Sequence, residues 1–139
     1  MKTIGLKDEG ATLALGARLA DTLRAGDVVS LSGDLGAGKT TLARGLIQSR
    51  LGKVEVPSPT YTLVQTYDWG ETKLWHCDLY RLERPDDIYE LGLDEAMDDC
   101  IVLIEWAERM GSRLPDTAKH VYIRFDGEGR VAELEGFDD

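Results

Sequence analysis

The chain has 139 residues, of which 42% are hydrophobic and 30% charged, and its formal net charge is −10. This balance is typical of a globular protein and excludes a largely disordered chain, and the length suits one domain, residues 1–139, rather than two. The acidity disfavours strong direct binding to nucleic acid, which relies on a basic surface. No apolar run approaches the length of a membrane span and no signal peptide is visible, so we expect a cytoplasmic protein without membrane contact.

The first part of the chain predicts a short edge strand and an amphipathic helix. Residues 2–6 suit the strand, and leucines recur at helical spacing over residues 8–24. Asp8 is the expected N-cap of this helix, and Gly26 is its expected stop signal. Because such apolar stripes usually face the core, we expect the helix to pack inside the domain.

The central motif of the chain is a strand that breaks into a glycine-rich loop and continues as a helix. Residues 28–31 form a short β-branched run, followed by Gly33, four further residues and Gly38-Lys39-Thr40. This is the spacing of a phosphate-binding P-loop. Glycines let backbone N–H groups point into one concavity, and the N-terminus of the following helix adds a positive dipole end. The spacing therefore predicts a nucleotide-binding loop, with a helix that ends near Gly52.

The side chains of this loop have expected roles. Lys39 should reach the β- and γ-phosphate oxygens, and Thr40 should offer its hydroxyl to Mg²⁺. ATP is favoured over GTP because the chain contains no asparagine, so the NKxD element with which GTPases read guanine cannot exist. Asp126 and Gly129 match a DxxG spacing, but we expect them in a turn far from the loop and treat the match as accidental. The predicted nucleotide-binding residues of the loop are Asp34, Leu35, Gly36, Ala37, Gly38, Lys39, Thr40 and Thr41.

A proline-rich segment follows the loop helix. Pro57 and Pro59 exclude both a helix and a central strand at this point. Thr60, which comes next, fits a switch element that senses Mg²⁺ or the γ-phosphate, and it fits an ordinary connection equally well. The spacing leaves both interpretations open.

A hairpin and a polar strand end come next. Residues 62–69 and 72–78 flank a Gly-Glu turn and predict two antiparallel strands. Asp78, at the end of the second strand, suits water-mediated binding of Mg²⁺ or positioning of an attacking water. Its alternative is an ion pair with Arg81 that closes a turn. His76 suits a core position as well as a functional one.

The most apolar run of the chain, residues 100–104, ends at Glu105. Ligands gather at the carboxyl ends of parallel strands, and a carboxylate buried there needs a cation or a hydrogen-bond donor. We therefore predict Glu105 as the acid on the Mg²⁺ side, with a chance solvated strand end as the alternative. Cys77 and Cys100 form no CxxC pair, and we expect both to be buried, reduced thiols.

The remaining elements complete the fold class. Pro85 begins a helix that should run to about residue 91, a second short helix should cover residues 93–97, and residues 119–125 and 130–134 predict a final hairpin. Together these elements predict an α/β protein, a P-loop NTPase-type three-layer sandwich. Its central sheet should be mixed and mainly parallel, with antiparallel hairpins added.

Four segments in this order resemble the bacterial TsaE family. They are Gly33-Asp34-Leu35-Gly36-Ala37-Gly38-Lys39-Thr40-Thr41, Ser58-Pro59-Thr60-Tyr61, His76-Cys77-Asp78-Leu79-Tyr80-Arg81 and Glu105-Trp106. The resemblance implies an ATPase required for making threonylcarbamoyladenosine in certain tRNAs. It implies that the protein works with the TsaD and TsaB proteins, meets tRNA only through that complex, and does not itself transfer the threonylcarbamoyl group.

The resemblance also implies roles for individual residues. ATP lies on the phosphate loop, Thr40 and Glu105 bind Mg²⁺, Thr60 belongs to a switch-like loop, and Asp78 is needed for activity. We therefore predict Asp78, Glu105 and Lys39 as the catalytic residues. No family motif marks the chain after residue 115.

Two other functions remain open from the sequence. A small-molecule kinase is one, because Arg81, Arg84, Arg109 and Arg113 suit an acceptor site or a lid, although the chain has little length for either. A nucleotide-dependent binding module without significant hydrolysis is the other. Since no arginine is evidently placed against the γ-phosphate, we expect ATP turnover by the protein alone to be slow.

Overall fold

The computed structural model describes residues 2–34, 37–57, 59 and 63–137. The strands in this part of the chain are β1 (Lys2–Leu6), β2 (Val28–Gly33), β3 (Val64–Trp69), β4 (Thr72–Asp78), β5 (Ile101–Glu105), β6 (Lys119–Asp126) and β7 (Gly129–Glu135). The helices are α1 (Glu9–Ala20), α2 (Lys39–Leu51) and α3 (Leu93–Asp99), together with the 3-10 helices η1 (Pro85–Tyr89) and η2 (Ala107–Arg113).

The strands described in these ranges form one mixed sheet in the order β1-β7-β6-β2-β5-β4-β3. The pairs β2–β5 and β5–β4 are parallel, whereas β1–β7, β6–β7 and β3–β4 are antiparallel. The predicted α/β fold with its mixed sheet is confirmed. The parallel part holds the strand that leads into the phosphate loop, and the predicted hairpins are β3–β4 and β6–β7.

The chain forms two compact units, one of residues 1–23, 32–57 and 120–139 and the other of residues 24–31 and 58–119. In the first unit, α1 and α2 pack together at two glycines. A Cβ on Gly16 would lie 2.3 Å from the Leu42 carbonyl oxygen, and a Cβ on Gly45 would lie 2.3 Å from the Leu13 carbonyl oxygen. The two helix backbones can therefore approach each other this closely only because both positions are glycine.

Helix α1 begins as predicted and ends earlier than predicted. The Asp8 carboxylate accepts a hydrogen bond of 2.8 Å from the Ala11 N–H, which makes Asp8 the N-cap. The prediction of a helix to residue 24 was wrong. At the end of α1 the backbone N–H of Thr22 and its hydroxyl both donate to the Leu19 carbonyl, at 3.0 and 2.8 Å, so the chain closes a tight turn there.

The second unit has an apolar core on one face of its strands. Cys77 of β4 and Ile104 of β5 contribute to this core together with buried residues of η1, α3 and η2. These residues are Ile88, Leu93, Ala96, Ala107 and Met110. Because side chains alternate along a strand, His76, Asp78 and Glu105 point to the opposite face.

Several local elements of the second unit differ from the predictions. The helix expected from Pro85 to about residue 91 is a 3-10 helix that ends at Tyr89, and α3 runs on to Asp99. The sequence patterns did not predict η2, which is joined to η1 by an ion pair between Arg113 and Asp86. Among the described residues, no helix combines the length and the apolar character needed to cross a membrane.

Both cysteines of the described chain are free thiols. Cys77 is fully buried, as predicted, whereas Cys100 is only half-buried. Burial, and secondarily the neighbouring Asp78 carboxylate, raises the pKa of the Cys77 thiol far above its usual range. Cys77 therefore behaves as a small apolar side chain of the core.

Candidate functional site

The phosphate loop joins β2 to α2, as predicted. Ala37 N–H donates to the Asp34 carbonyl at 3.0 Å, and Gly38 has a left-handed backbone with φ of 118° immediately before α2 begins. Lys39 is buried, and its ammonium group donates to the Gly33 carbonyl at 3.1 Å. The lysine side chain thus folds back over the loop, with its charge held inside the turn.

Gly33 is required for a reason that the motif spacing did not reveal. Its φ is +146°, and a Cβ at this position would lie 2.1 Å from the Ile123 carbonyl oxygen of β6. Any side chain would clash with the backbone of that strand. The first glycine of the motif therefore permits close passage of two backbone segments as well as the turn.

A cleft of about 210 Å³ adjoins the loop in the same unit. Its lining comes from β1, the start of α1, the loop with the start of α2, and the turn between β6 and β7. The polar or charged residues in that lining are Asp8, Glu9, Thr12, Thr41, Glu128 and Arg130. The cleft is smaller than the roughly 300–1,000 Å³ of most ligand pockets, so it suits one moiety of a ligand and not a whole drug-sized molecule.

The turn at residues 126–129 does not lie where we expected it. Glu128 and Gly129 line the same cleft as Gly38, so the expectation that this turn is far from the phosphate loop was wrong. The reason is topological, because β1 pairs with β7 and thereby brings the final hairpin beside the start of α1. The chain after residue 115, which carries no family motif, contributes directly to the candidate site.

Sequence reasoning missed Arg130 and Thr12, which both line the cleft. Arg130 is held by the Phe125 ring, whose centroid is 4.2 Å from the guanidinium carbon, and donates to the Gly129 carbonyl at 3.0 Å. Neither residue belongs to a motif, and both are distant in sequence from the loop. No local signal distinguished them.

Asp78 and Glu105 end adjacent parallel strands of the second unit and are both buried. The Asp78 carboxylate accepts a hydrogen bond of 2.9 Å from the Tyr80 backbone N–H, which closes a turn at the end of β4. The Glu105 carboxylate lies 2.7 Å from His76 Nε2. The structure therefore brings the two predicted acids together and adds a histidine that the sequence left undecided.

The proline-rich segment is anchored next to Asp78. Leu63 N–H donates to the Pro59 carbonyl at 2.7 Å, and the Leu63 carbonyl accepts from Asp78 N–H at 3.0 Å. Leu63 has a left-handed backbone with φ of 69°, which is unfavourable for a bulky side chain. Thr60 lies outside the described residues, as do Leu35 and Gly36 of the loop and residue 62 of the predicted first hairpin strand.

An aromatic group follows the two acids. The rings of Tyr80 and Trp106 lie 4.9 Å apart, and the Arg109 guanidinium lies 5.5 Å from the Tyr80 ring centroid. Trp106, directly after Glu105, has a left-handed backbone with φ of 62°. This unfavourable conformation sharply redirects the chain after β5 into η2.

The residues predicted to bind a metal carry oxygen donors, which are the ligands that Mg²⁺ prefers. The described residues contain no group of three or more His, Cys, Asp or Glu side chains that could hold a metal by themselves. Mg²⁺ is usually held by one or two protein oxygens, with waters and substrate phosphates completing its shell. In the first unit Thr40 offers a hydroxyl of this kind at the start of α2, and in the second unit Glu105 offers a buried carboxylate.

The fold and the loop define the class of protein. Strand β2 lies parallel to β5, and a glycine-rich loop connects β2 to helix α2. This is the arrangement of a P-loop NTPase-type α/β protein.

A sequence profile of the family "Threonylcarbamoyl adenosine biosynthesis protein TsaE" matches residues 6–132. The chain belongs to the TsaE family, which acts in the biosynthesis of threonylcarbamoyladenosine in tRNA. It is 43% identical over 144 residues to the tRNA threonylcarbamoyladenosine biosynthesis protein TsaE of Nostoc, covering 99% of this chain and 88% of the relative. It is 38% identical to the corresponding Haemophilus influenzae protein, covering 93% of this chain and 85% of that one.

The fold has a relative among solved structures. The crystal structure of Bacillus subtilis YdiB superposes with a TM-score of 0.79 at 25% sequence identity. The match covers 99% of this chain and 86% of that one. The predicted family and the predicted fold class are thus both confirmed.

Proposed function

We propose that this chain binds ATP with Mg²⁺ and hydrolyses it in support of threonylcarbamoyladenosine formation in tRNA. The observation that carries the proposal is the position of Lys39, the first residue of α2. Its side chain is buried, and its ammonium group donates a hydrogen bond of 3.1 Å to the Gly33 carbonyl. A buried cation at the N-terminus of a helix whose first turn carries no carboxylate is suited to a polyphosphate. Phosphate oxygens would replace the carbonyl as its acceptor.

The cleft beside the loop supports a nucleoside position for the same ligand. With phosphates over Gly38 and Lys39, the nucleoside extends past Thr41 into the cleft. The cleft carries more carboxylates than cations, which suits the amino group and hydroxyls of a nucleoside and disfavours a second phosphate group. Arg130 and Thr12 supply further polar contacts in this proposal.

The buried acids support hydrolysis. A bound Mg²⁺, held by Thr40 and Glu105 in the proposal, would neutralise charge on the phosphates. Asp78 then orients the attacking water or couples the nucleotide to the Pro59–Leu63 segment, since its backbone N–H bonds the Leu63 carbonyl. Thr60 lies within that segment and is its proposed sensor of Mg²⁺ or the γ-phosphate.

The proposed partners are the TsaD and TsaB proteins, with tRNA met only through their complex. The net charge of −10 supports this arrangement, because tRNA affinity without a partner depends on basic surface. In this proposal the chain does not itself transfer the threonylcarbamoyl group. Hydrolysis by the isolated chain is expected to be slow.

A reconstituted modification system tests the proposal. The chain is added to a system that contains TsaD, TsaB and tRNA and lacks its own ATPase, and the modified nucleoside and ATP turnover are measured together. Wild-type protein should restore both, Lys39→Ala should restore neither, and the surface control Lys73→Ala should behave as wild type. A phosphorylated small-molecule acceptor would instead identify a kinase, and restored modification without ATP turnover would identify a nucleotide-dependent binding module.

A further inference from the structure

We propose that His76 is a positioning residue that holds the Glu105 carboxylate in the orientation required for its Mg²⁺ role. This inference rests on the proposed function and adds to it a residue outside the P-loop and the acids. The contact that carries it is the 2.7 Å approach of His76 Nε2 to Glu105 Oε2. The two side chains are 0% and 4% exposed, so water does not compete for either group.

The hydrogen bond has one direction. A carboxylate only accepts hydrogen bonds. The proton therefore sits on Nε2 of His76, and this N–H donates a hydrogen bond to the Glu105 carboxylate. The other ring nitrogen, Nδ1, is buried and has no hydrogen-bond partner among the residues that the structure describes. A proton on Nδ1 would be a buried, unsatisfied donor, which favours the tautomer with the proton on Nε2 alone.

The sheet places His76 so that this bond constrains Glu105. Asp78 is the register partner of Glu105, and His76 lies two residues before Asp78 on the same face of β4. Glu105 thus has Asp78 beside it and His76 diagonally behind it. Because the histidine ring is enclosed, it has little freedom to rotate, and it fixes the plane of the carboxylate that it contacts.

A core role alone does not require this arrangement. An apolar side chain at position 76 would fill the space without the unfavourable burial of a ring nitrogen that lacks a partner. Hydrogen-bonded neighbours that orient a metal ligand typically change metal affinity by about 10- to 100-fold when they are removed. In this proposal His76 is the hydrogen-bonded neighbour that orients Glu105.

Three variants separate positioning from packing. His76→Leu keeps an apolar volume and removes the donor, and His76→Gln provides an amide N–H that can donate to Glu105. His120→Gln changes the other histidine of the chain, which is half-buried in β6 and stacks on Tyr122, and serves as the control. Thermal unfolding of each variant establishes that it is folded.

The measurement is binding of a non-hydrolysable ATP analogue by calorimetry, at a series of MgCl₂ concentrations and in EDTA. Mg²⁺ is expected to enhance binding of the analogue. His76→Leu should raise the Mg²⁺ concentration that gives half of this enhancement by about 10- to 100-fold. Its affinity in EDTA should stay near that of wild type. His76→Gln should recover most of the loss, and His120→Gln should show none.

Two results would overturn the inference while leaving the proposed function intact. One is wild-type Mg²⁺ dependence in His76→Leu, and the other is an equal loss of affinity with and without Mg²⁺, which indicates a packing role. Nitrogen-15 NMR of unmodified protein is an independent check, since a proton on Nδ1 instead of Nε2 would also overturn it. If wild-type protein shows no nucleotide binding or no Mg²⁺ dependence, the proposed function fails, and this inference fails with it.

Discussion

Asp78 and Glu105 are register partners on the parallel strands β4 and β5, and their side chains have different hydrogen-bond partners. Asp78 accepts from the Tyr80 backbone N–H at 2.9 Å, whereas Glu105 contacts His76 Nε2 at 2.7 Å. Because each acid has a contact of its own, a substitution can remove the charge of one acid and keep that contact. The roles of the two neighbouring acids can therefore be separated.

Asp78→Asn should abolish most ATP turnover while leaving ATP affinity within several-fold of wild type. The asparagine amide oxygen can still accept from Tyr80 N–H, so this turn bond is kept while the negative charge is lost. A group that orients or deprotonates a water typically contributes about 10²- to 10⁴-fold to the rate. The measurement is turnover with partners present, together with calorimetry of nucleotide binding.

Asp78→Ala provides the comparison, because it removes both the charge and the turn bond. It should lose turnover to the same extent and should also unfold at a lower temperature than Asp78→Asn. Normal turnover in Asp78→Asn would show that the aspartate only closes the turn at the end of β4.

Glu105→Gln should shift the Mg²⁺ dependence of ATP binding to higher concentration. The glutamine amide oxygen can still accept from His76, so the buried contact survives while the carboxylate charge that favours a divalent cation disappears. Titration with MgCl₂ at fixed nucleotide measures the shift. Glu108→Gln, at an exposed position in η2, is the matched control, and an equal shift in both variants would refute a specific role for Glu105.

Lys39→Ala should weaken ATP binding. It removes the charge that donates to the Gly33 carbonyl in this structure and, in the proposal, to the phosphates. A hydrogen bond to a charged group contributes about 1.5–3 kcal/mol, which corresponds to an affinity loss of roughly 10- to 150-fold. Calorimetry in parallel with Lys73→Ala, an exposed lysine of β4, gives the comparison, and unchanged affinity would remove the basis of the proposed site.

Gly45→Ala should destabilise the first unit. Its new Cβ would lie 2.3 Å from the Leu13 carbonyl oxygen, so α1 and α2 would have to separate. Overpacking of this kind typically costs about 1–3 kcal/mol. Denaturant unfolding should show the loss for Gly45→Ala and not for Gly5→Ala, where a Cβ would meet nothing within 4 Å; equal stabilities would contradict the close helix contact.

Cys77 should be inert to thiol reagents in the folded protein. Burial raises the pKa of its thiol, so the thiolate, which is the reactive form, stays scarce as the pH rises from 7 to 9. In Cys100→Ser protein, a colourimetric thiol reagent should react with Cys77 only after denaturant is added. Rapid reaction of this variant under native conditions would contradict the buried placement of β4.

Local sequence patterns were sufficient for much of the fold. Three features can be read from short stretches of sequence. They are the apolar run at residues 28–31, the glycine spacing through Gly38 and the apolar run before Glu105. The structure places a strand, a loop with a helix start, and a second buried strand at these positions. They could be predicted because strand alternation, turn geometry and phosphate-loop spacing are set by nearby residues.

The end of helix α1 could not be predicted from the local sequence pattern. Its leucine spacing continues to residue 24, yet the helix ends at Ala20 because the Thr22 hydroxyl and N–H both bond the Leu19 carbonyl. Helical periodicity does not register this competition between a side chain and the helix hydrogen bonds. The pattern also did not distinguish the 3-10 helix η1 from an α-helix.

The family, the phosphate loop and the pair of acids can be recognised from the amino-acid sequence, because each depends on a short stretch of neighbouring residues. The folded chain was needed to show that His76 contacts Glu105, that Gly16 and Gly45 bring two helices together, and that Arg130 lines the cleft beside Gly38. These relations join residues distant in the chain. They depend on strand order and register, which are set by the packing of the whole chain and leave no periodic signal in the local sequence.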